Sequence, residues 1–160
     1  MPGTWGHLFK RYREGILSSP LDPAEWDWVE SFLADPERSA FREQPTADQR
    51  HGYRAARVAE AILGAHRSGI RAALLHDIGK RHARLGLVGR ALVSVAIRLR
   101  VPLWERARIY RDHGPVGSEE LSGWGAEPLV VEFARSHHGA RPPSIEEAVW
   151  EALCETDKPH

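Results

Sequence analysis

Hydrophobic residues along this chain recur at three- and four-residue spacing, and no stretch shows the two-residue alternation of a half-buried strand. The pattern predicts an all-α chain. Asp22-Pro23-Ala24-Glu25 reads as a helix start, with Asp as N-cap, Pro at the first helical position and Glu closing a capping box. Trp26, Val29, Phe32 and Leu33 follow as its apolar stripe. Thr46-Ala47-Asp48-Gln49 repeats the capping pattern for a helix running to about residue 67, with His51, Ala55, Val58, Ile62 and Ala65 on its inward side. A helix over residues 70–78 ends at Gly79, which suits a left-handed cap. His76 and Asp77 fall on its last turn.

Residues 85–103 are apolar with scattered Arg90, Arg98 and Arg100. They predict one or two helices packed over the core, or else a basic amphipathic face lying on a membrane surface. His113 precedes Gly114-Pro115-Val116-Gly117, a turn leading into a helix through Leu121. Pro128 begins a helix in which Leu129, Phe133 and His137 share a face, with His138 turned by about 100° from it and Gly139 as the cap. Ser144-Ile145-Glu146-Glu147 is a third capping box, and Val149, Leu153 and Asp157 fall on one stripe of the last helix.

At 160 residues the chain has the length of one domain. Residues 1–40 read as a helical extension packed on a body formed by residues 41–160. Within the extension, residues 5–16 read as a short amphipathic helix packed on the body, and His7 reads as a surface or packing residue. No apolar run approaches the roughly 18 residues of a membrane span. No secretory signal is visible, and the lone Cys154 excludes an internal disulfide framework, so a cytoplasmic protein is expected. Net charge is zero but unevenly spread: Lys80, Arg81, Arg84, Arg90, Arg98, Arg100, Arg106, Arg108 and Arg111 face only Glu105 across that segment. Such a segment would attract an anionic substrate, or is a solvated face balanced by acidic neighbours in the fold. No specific nucleic-acid-binding motif appears, and oligomeric state is not legible.

The chemistry gathers around His76-Asp77. Together with His51, His113, the His137-His138 pair and Asp157, the chain places three or four imidazoles and two carboxylates at the ends or inner faces of separate helices. Burying so many titratable groups without a cation would leave polar atoms unpaired. Imidazole and carboxylate suit one or two divalent ions, with Mn, Fe, Zn, Ni and Mg not distinguished by the donor set. A metal held this way lowers the pKa of a bound water and polarises a phosphoryl oxygen. Lys80 stands one turn beyond and is one of only three lysines, with Lys10 and Lys158. It reads as a contact for a phosphate oxygen, or as a simple cation at a helix C-terminus.

His51, His76-Asp77, His113, His137 or His138, and Asp157 occur in the order found in the HD-domain superfamily of metal-dependent phosphohydrolases, which residues 41–158 resemble. The stretch Leu74-Leu75-His76-Asp77-Ile78-Gly79-Lys80 is close to that superfamily's most specific motif. The resemblance implies a compact helical bundle around a central metal, with His51, His76, Asp77 and Asp157 as a mononuclear site. His113 and His137 would complete a second site bridged by Asp77, as in dinuclear members. His137-His138-Gly139-Ala140-Arg141-Pro142 is similar to a His-Thr-Thr-Gly-Arg-Pro pattern in bacterial symmetrical dinucleoside tetraphosphatases. His138 is a further ligand or supports one; His66 and His82 look peripheral. The expected activity is hydrolysis of a nucleotide or other small phosphate ester, with Asp77 and Lys80 as the catalytic groups. Alternatives are a di-iron oxygenase of the same fold, or a non-catalytic metal- or nucleotide-binding module that contacts a partner or a membrane surface through residues 85–103.

Overall fold

The computed structural model describes residues 18–157, so the expectations for residues 5–16 and His7 lie outside the described residues. These residues form nine α-helices and one 3-10 helix, with no strand among them. The helices are α1 (Pro23–Glu30), α2 (Asp35–Glu43), α3 (Thr46–Leu63), α4 (Arg67–Leu75), the 3-10 helix (Ile78–Ala83), α5 (Leu87–Arg98), α6 (Glu105–Arg111), α7 (His113–Gly123), α8 (Pro128–Ser136) and α9 (Glu147–Thr156). None of them is long and apolar enough to cross a membrane.

The core is built around α4, whose Ile70, Ala72, Ala73, Leu74 and Leu75 are all buried. Helices α3, α8 and α9 pack against it. The approach of α3 depends on small residues: Gly52, Ala55, Ala56 and Ala59 form its buried stripe. A Cβ at Gly52 would come within 3.0 Å of the Leu74 carbonyl oxygen, so the helices meet nearly backbone to backbone. This stripe is rotated from the expected one. Ala55 is buried, but Ile62 is half exposed, because a larger side chain on the contact face would hold α3 away from α4.

The first capping box forms as expected: Asp22 Oδ1 accepts from the Glu25 amide at 2.8 Å, and the Asp22 amide donates to Glu25 Oε2 at 2.8 Å. The other two do not. At the start of α3 the N-cap is Pro45, Asp48 pairs with Arg90, and the Gln49 amide nitrogen donates to the Gln44 carbonyl at 2.8 Å and the Arg42 carbonyl at 3.0 Å. Helix α9 begins at Glu147 with no side-chain cap. At the start of α3 a tertiary partner, Arg90, outcompetes local capping. Helix α2 carries no expectation from the sequence. Its Glu37 is fully buried, receives the Ala34 amide at 3.0 Å and holds the Arg71 guanidinium at 2.6 and 2.9 Å. Leu21, Val29, Leu33, Ala40 and Phe41 join the same core, fastening α1 and α2 to the rest.

Gly79 is not a left-handed cap. It lies inside the 3-10 helix, and the positive-φ glycines among the described residues are Gly64 and Gly125. Its task is close approach: a Cβ there would stand 2.1 Å from the His113 carbonyl oxygen and 2.8 Å from the Gly117 amide nitrogen. The missing side chain lets the His76-Asp77 segment lie on the first turn of α7, which begins at His113 rather than after an intervening turn.

Helix α5 divides between the two alternatives expected of it. Val93 is buried, but Val88, Leu92 and Leu99 face solvent, so its apolar side chains pack inward only in part.

Candidate metal centre

Five helices deliver the side chains, four of them at an end. His51 comes from the second turn of α3, His76 ends α4, Asp77 links it to the 3-10 helix, His113 opens α7, His137 ends α8 and Asp157 ends α9. A helix terminus has backbone groups without intrahelical partners, and three of the histidines use them. His76 Nδ1 donates to the Ala73 carbonyl at 2.9 Å, His113 Nδ1 to the Tyr110 carbonyl at 2.7 Å and His137 Nδ1 to the Ala134 carbonyl at 3.0 Å. A carbonyl only accepts, so each Nδ1 carries a proton and each Nε2, the nitrogen left for a metal, faces inward.

These nitrogens, with that of His51, point at one another and at carboxylates. On one side, His51 Nε2 lies 3.3 Å from His76 Nε2, and the two stand 3.7 and 3.4 Å from Asp77 Oδ2. Asp157 Oδ1 closes this side at 3.4 Å from His51 and 3.7 Å from His76. On the other side, His113 Nε2 lies 3.0 Å and His137 Nε2 3.6 Å from Asp77 Oδ1, with 3.3 Å between the two nitrogens. Asp77 therefore faces both groups, one carboxylate oxygen to each. His138 joins the second group from an exposed position, its ring 4.0 Å from that of His137 and 5.2 Å from that of His113. Ligand atoms of Asp77, His113, His137 and His138 all lie within 4.8 Å of one another, and so do those of His51, His76 and Asp77.

Facing acceptors repel unless a cation, a proton or a metal ion, stands between them. Asp77 Oδ1 is buried and accepts no hydrogen bond. Its neighbours are imidazole nitrogens whose other ring nitrogen is already committed, so the residues present fit divalent metal ions with mixed nitrogen and oxygen donors. Burial would push the His76 imidazole down, but Asp77 and Asp157 outweigh it and lift the group to about 10. Burial would likewise raise both carboxyls. Lys80 and His76 instead hold Asp77 well below the usual carboxylate range, and His51 and His76 do the same for Asp157. Burial lowers His137; for His138, exposed as a residue, the desolvation of its ring against its neighbours, with His137 and His113, takes it down to about 4, leaving both neutral and ready to ligate.

Lys80 is buried, with its ammonium 2.5 Å from Asp77 Oδ2 and 5.9 Å from the centre of the Tyr110 ring. In the sequence Tyr110 carries no signal, yet its carbonyl orients His113 and its ring centre lies within 6 Å of both the Lys80 and Arg90 cations. Phe133 supports the rings of His76 and His137. Two histidines stay outside, as expected. His66 Nδ1 accepts from the Gly69 amide and caps α4, while His82 pairs with Glu120 at 2.9 Å. The basic segment divides: Arg81 is tied to Glu120 and Arg90 to Asp48, whereas Arg84, Arg100, Arg106 and Arg108 are exposed.

Comparison of the chain with protein-family models, with characterised proteins and with solved structures returns no match. The helical fold and its buried His/Asp cluster, able to hold a metal ion, are compatible with an HD-like site.

Proposed function

We propose that this chain is a metal-dependent phosphohydrolase of the HD type, acting on a nucleotide or another small phosphate ester. The observation that carries the reading is Asp77, whose two carboxylate oxygens face two separate groups of inward-turned imidazoles. His51, His76, Asp77 and Asp157 would hold one ion; Asp77, His113, His137 and His138 would hold a second. Divalent ions in such a centre supply Lewis acidity toward a phosphoryl oxygen and acidify a coordinated water.

The chain's own residues do the rest. Asp77 keeps its negative charge against burial, because the Lys80 ammonium and His76 stabilise it. The Ala73, Tyr110 and Ala134 carbonyls fix the orientation of three ligands, which reduces the reorganisation needed when charge develops. Lys80 sets a positive charge beside the Asp77 carboxylate, where an anionic phosphate oxygen would otherwise meet repulsion. The exposed His138 marks the rim from which a substrate reaches the second group.

The test is turnover by metal-loaded protein on a panel of nucleotides and phosphate monoesters and diesters. Phosphate release that requires both added metal and Asp77, and is lost in Asp77→Asn, is expected. Activity indifferent to metal or to Asp77, or no activity on any member, overturns the reading.

A further inference from the structure

A surface helix ordinarily turns its apolar side inward and its charges outward. Helix α5 follows this only at Val93, which is buried, while Val88 and Leu92 are left outside. Arg90 points toward the body, where Asp48 grips it in a two-bond pair at 2.5 and 2.7 Å. Val88, Leu92, Val95 and Leu99 recur at helical spacing on another side, and the first, second and last of these face solvent. The chain beyond extends the strip through Val101 to Trp104. Together Val88, Leu92, Leu99, Val101 and Trp104 are 46–62% exposed.

The fringe of this strip carries one sign of charge. From Ile78 to Trp104 the sequence contains no Asp or Glu, and Arg84, Arg100 and Arg106 are exposed around it. Glu105 alone interrupts the run before Asp112. An apolar strip with an exposed tryptophan and an arginine fringe matches the interface of an anionic bilayer. Aliphatic side chains and the indole ring enter the acyl boundary there, while guanidinium groups meet lipid phosphates.

We propose that α5 and the segment through Trp104 form a docking surface for an anionic lipid membrane, laid on the interface without crossing it. Charge selects this occupant over the others. Two copies of the chain meeting on this face would press arginine against arginine. Residues 1–17 carry Lys10, Arg11 and Arg13 against Glu14 and would do the same. A nucleic acid would satisfy the arginines and leave the aliphatic strip in water. The Arg90–Asp48 pair fixes α5 to the start of α3, three residues before His51, so the docking face is tied to the element that supplies a ligand of the metal centre. The inference is independent of any hydrolytic activity.

The experiment is co-sedimentation of the full chain with vesicles of phosphatidylcholine alone and of phosphatidylcholine with phosphatidylglycerol, with light scattering to follow oligomeric state. Binding to the anionic vesicles and little to the neutral ones is expected. Each arginine near an anionic surface is worth about fivefold in partitioning, so Arg100→Gln with Arg106→Gln should weaken binding by roughly 30-fold. Leu92→Glu, an exposed position whose change leaves the core untouched, should weaken it by more than about tenfold. Circular dichroism of each variant verifies that the helices persist. No binding to either vesicle overturns the proposal. So does equal binding by the wild type and the folded Leu92→Glu variant, or a dimer that Leu92→Glu dissolves without any vesicle binding.

Discussion

His113 Nε2 stands 3.0 Å from Asp77 Oδ1, and the Tyr110 carbonyl holds the opposite ring nitrogen of His113. Two acceptors are thereby brought within hydrogen-bond distance in a buried place, an arrangement that a shared cation relieves. The expected metal content follows. Protein purified without added metal, or reconstituted and desalted, should carry close to two ions per chain by elemental analysis. His113→Ala should reduce the ratio to near one, because His51, His76, Asp77 and Asp157 remain. Asp77→Asn should lower occupancy of both groups. A ratio near one in the wild type would confine the centre to the first group.

Metal binding should also release protons. In the metal-free chain His76 is lifted to about 10 by Asp77 and Asp157 despite its burial. Its Nε2 is then protonated at neutral pH, and a metal must displace that proton. Calorimetric titration in buffers of different ionisation enthalpy should show proton release near pH 7.5, with affinity rising as pH rises. The stability of the metal-free chain runs the other way. A histidine raised in the folded state contributes stability that is full below its ordinary value near 6.5 and is lost as pH climbs through about 10. Melting temperature in chelator should therefore fall across that interval, and saturating metal should flatten the fall.

Gly79→Ala tests the packing under the centre. The new Cβ would meet the His113 carbonyl oxygen and the Gly117 amide nitrogen, both backbone atoms that move only with α7. Overpacking of this kind costs about 1–3 kcal/mol or more. Displacing α7 also displaces His113, so denaturant stability and second-site metal occupancy should fall together. Gly86→Ala, where no atom lies within 4 Å of the added carbon, should change neither.

Gly79 also shows where sequence reading stops. A glycine after a helical stripe is expected as a cap, because local pattern carries chain geometry; that a distant helix lies against it is a tertiary fact. The helical class, the α1 capping box and the gathering of His51, His76, Asp77, His113, His137 and Asp157 were legible, since polar groups closing apolar stripes announce a shared interior partner. The Asp48–Arg90 pair was not, because the Thr46-Ala47-Asp48-Gln49 pattern satisfied a local rule that Arg90 overrode from 42 positions away. The outward apolar strip of α5 was only half legible: hydrophobic content reports that a face seeks cover, not which side of the helix receives it from the chain.

Glu37 gives a stability prediction unconnected to the metal. Fully buried, it accepts three hydrogen bonds from Arg71 and one from the Ala34 amide. Removing one member of a buried pair strands the other, at about 3–5 kcal/mol. Glu37→Ala should lower unfolding free energy by that order in urea titration. Arg42→Ala breaks the exposed pair with Glu30 and should cost about 0–1 kcal/mol. Equal effects would mean that Arg71 finds another partner, Glu127 being the nearest at 3.5 Å.

Lys80 separates binding of metal from chemistry, provided that the proposed hydrolysis is correct. Its ammonium touches Asp77 Oδ2 and lies beneath Tyr110, but it ligates nothing. Lys80→Met keeps the length and apolar stem of the side chain while deleting the charge. Fixed charges aimed at developing negative charge are typically worth about 10²–10³ in kcat. Turnover at saturating metal and substrate should fall by that order, while the metal-to-chain ratio stays near the wild-type value. Lys80→Arg keeps the charge but enlarges a buried group, so it should restore part of kcat at a cost in melting temperature. A Lys80→Met protein that loses its metal as well would make the lysine a support for the Asp77 carboxylate, acting on substrate only through it.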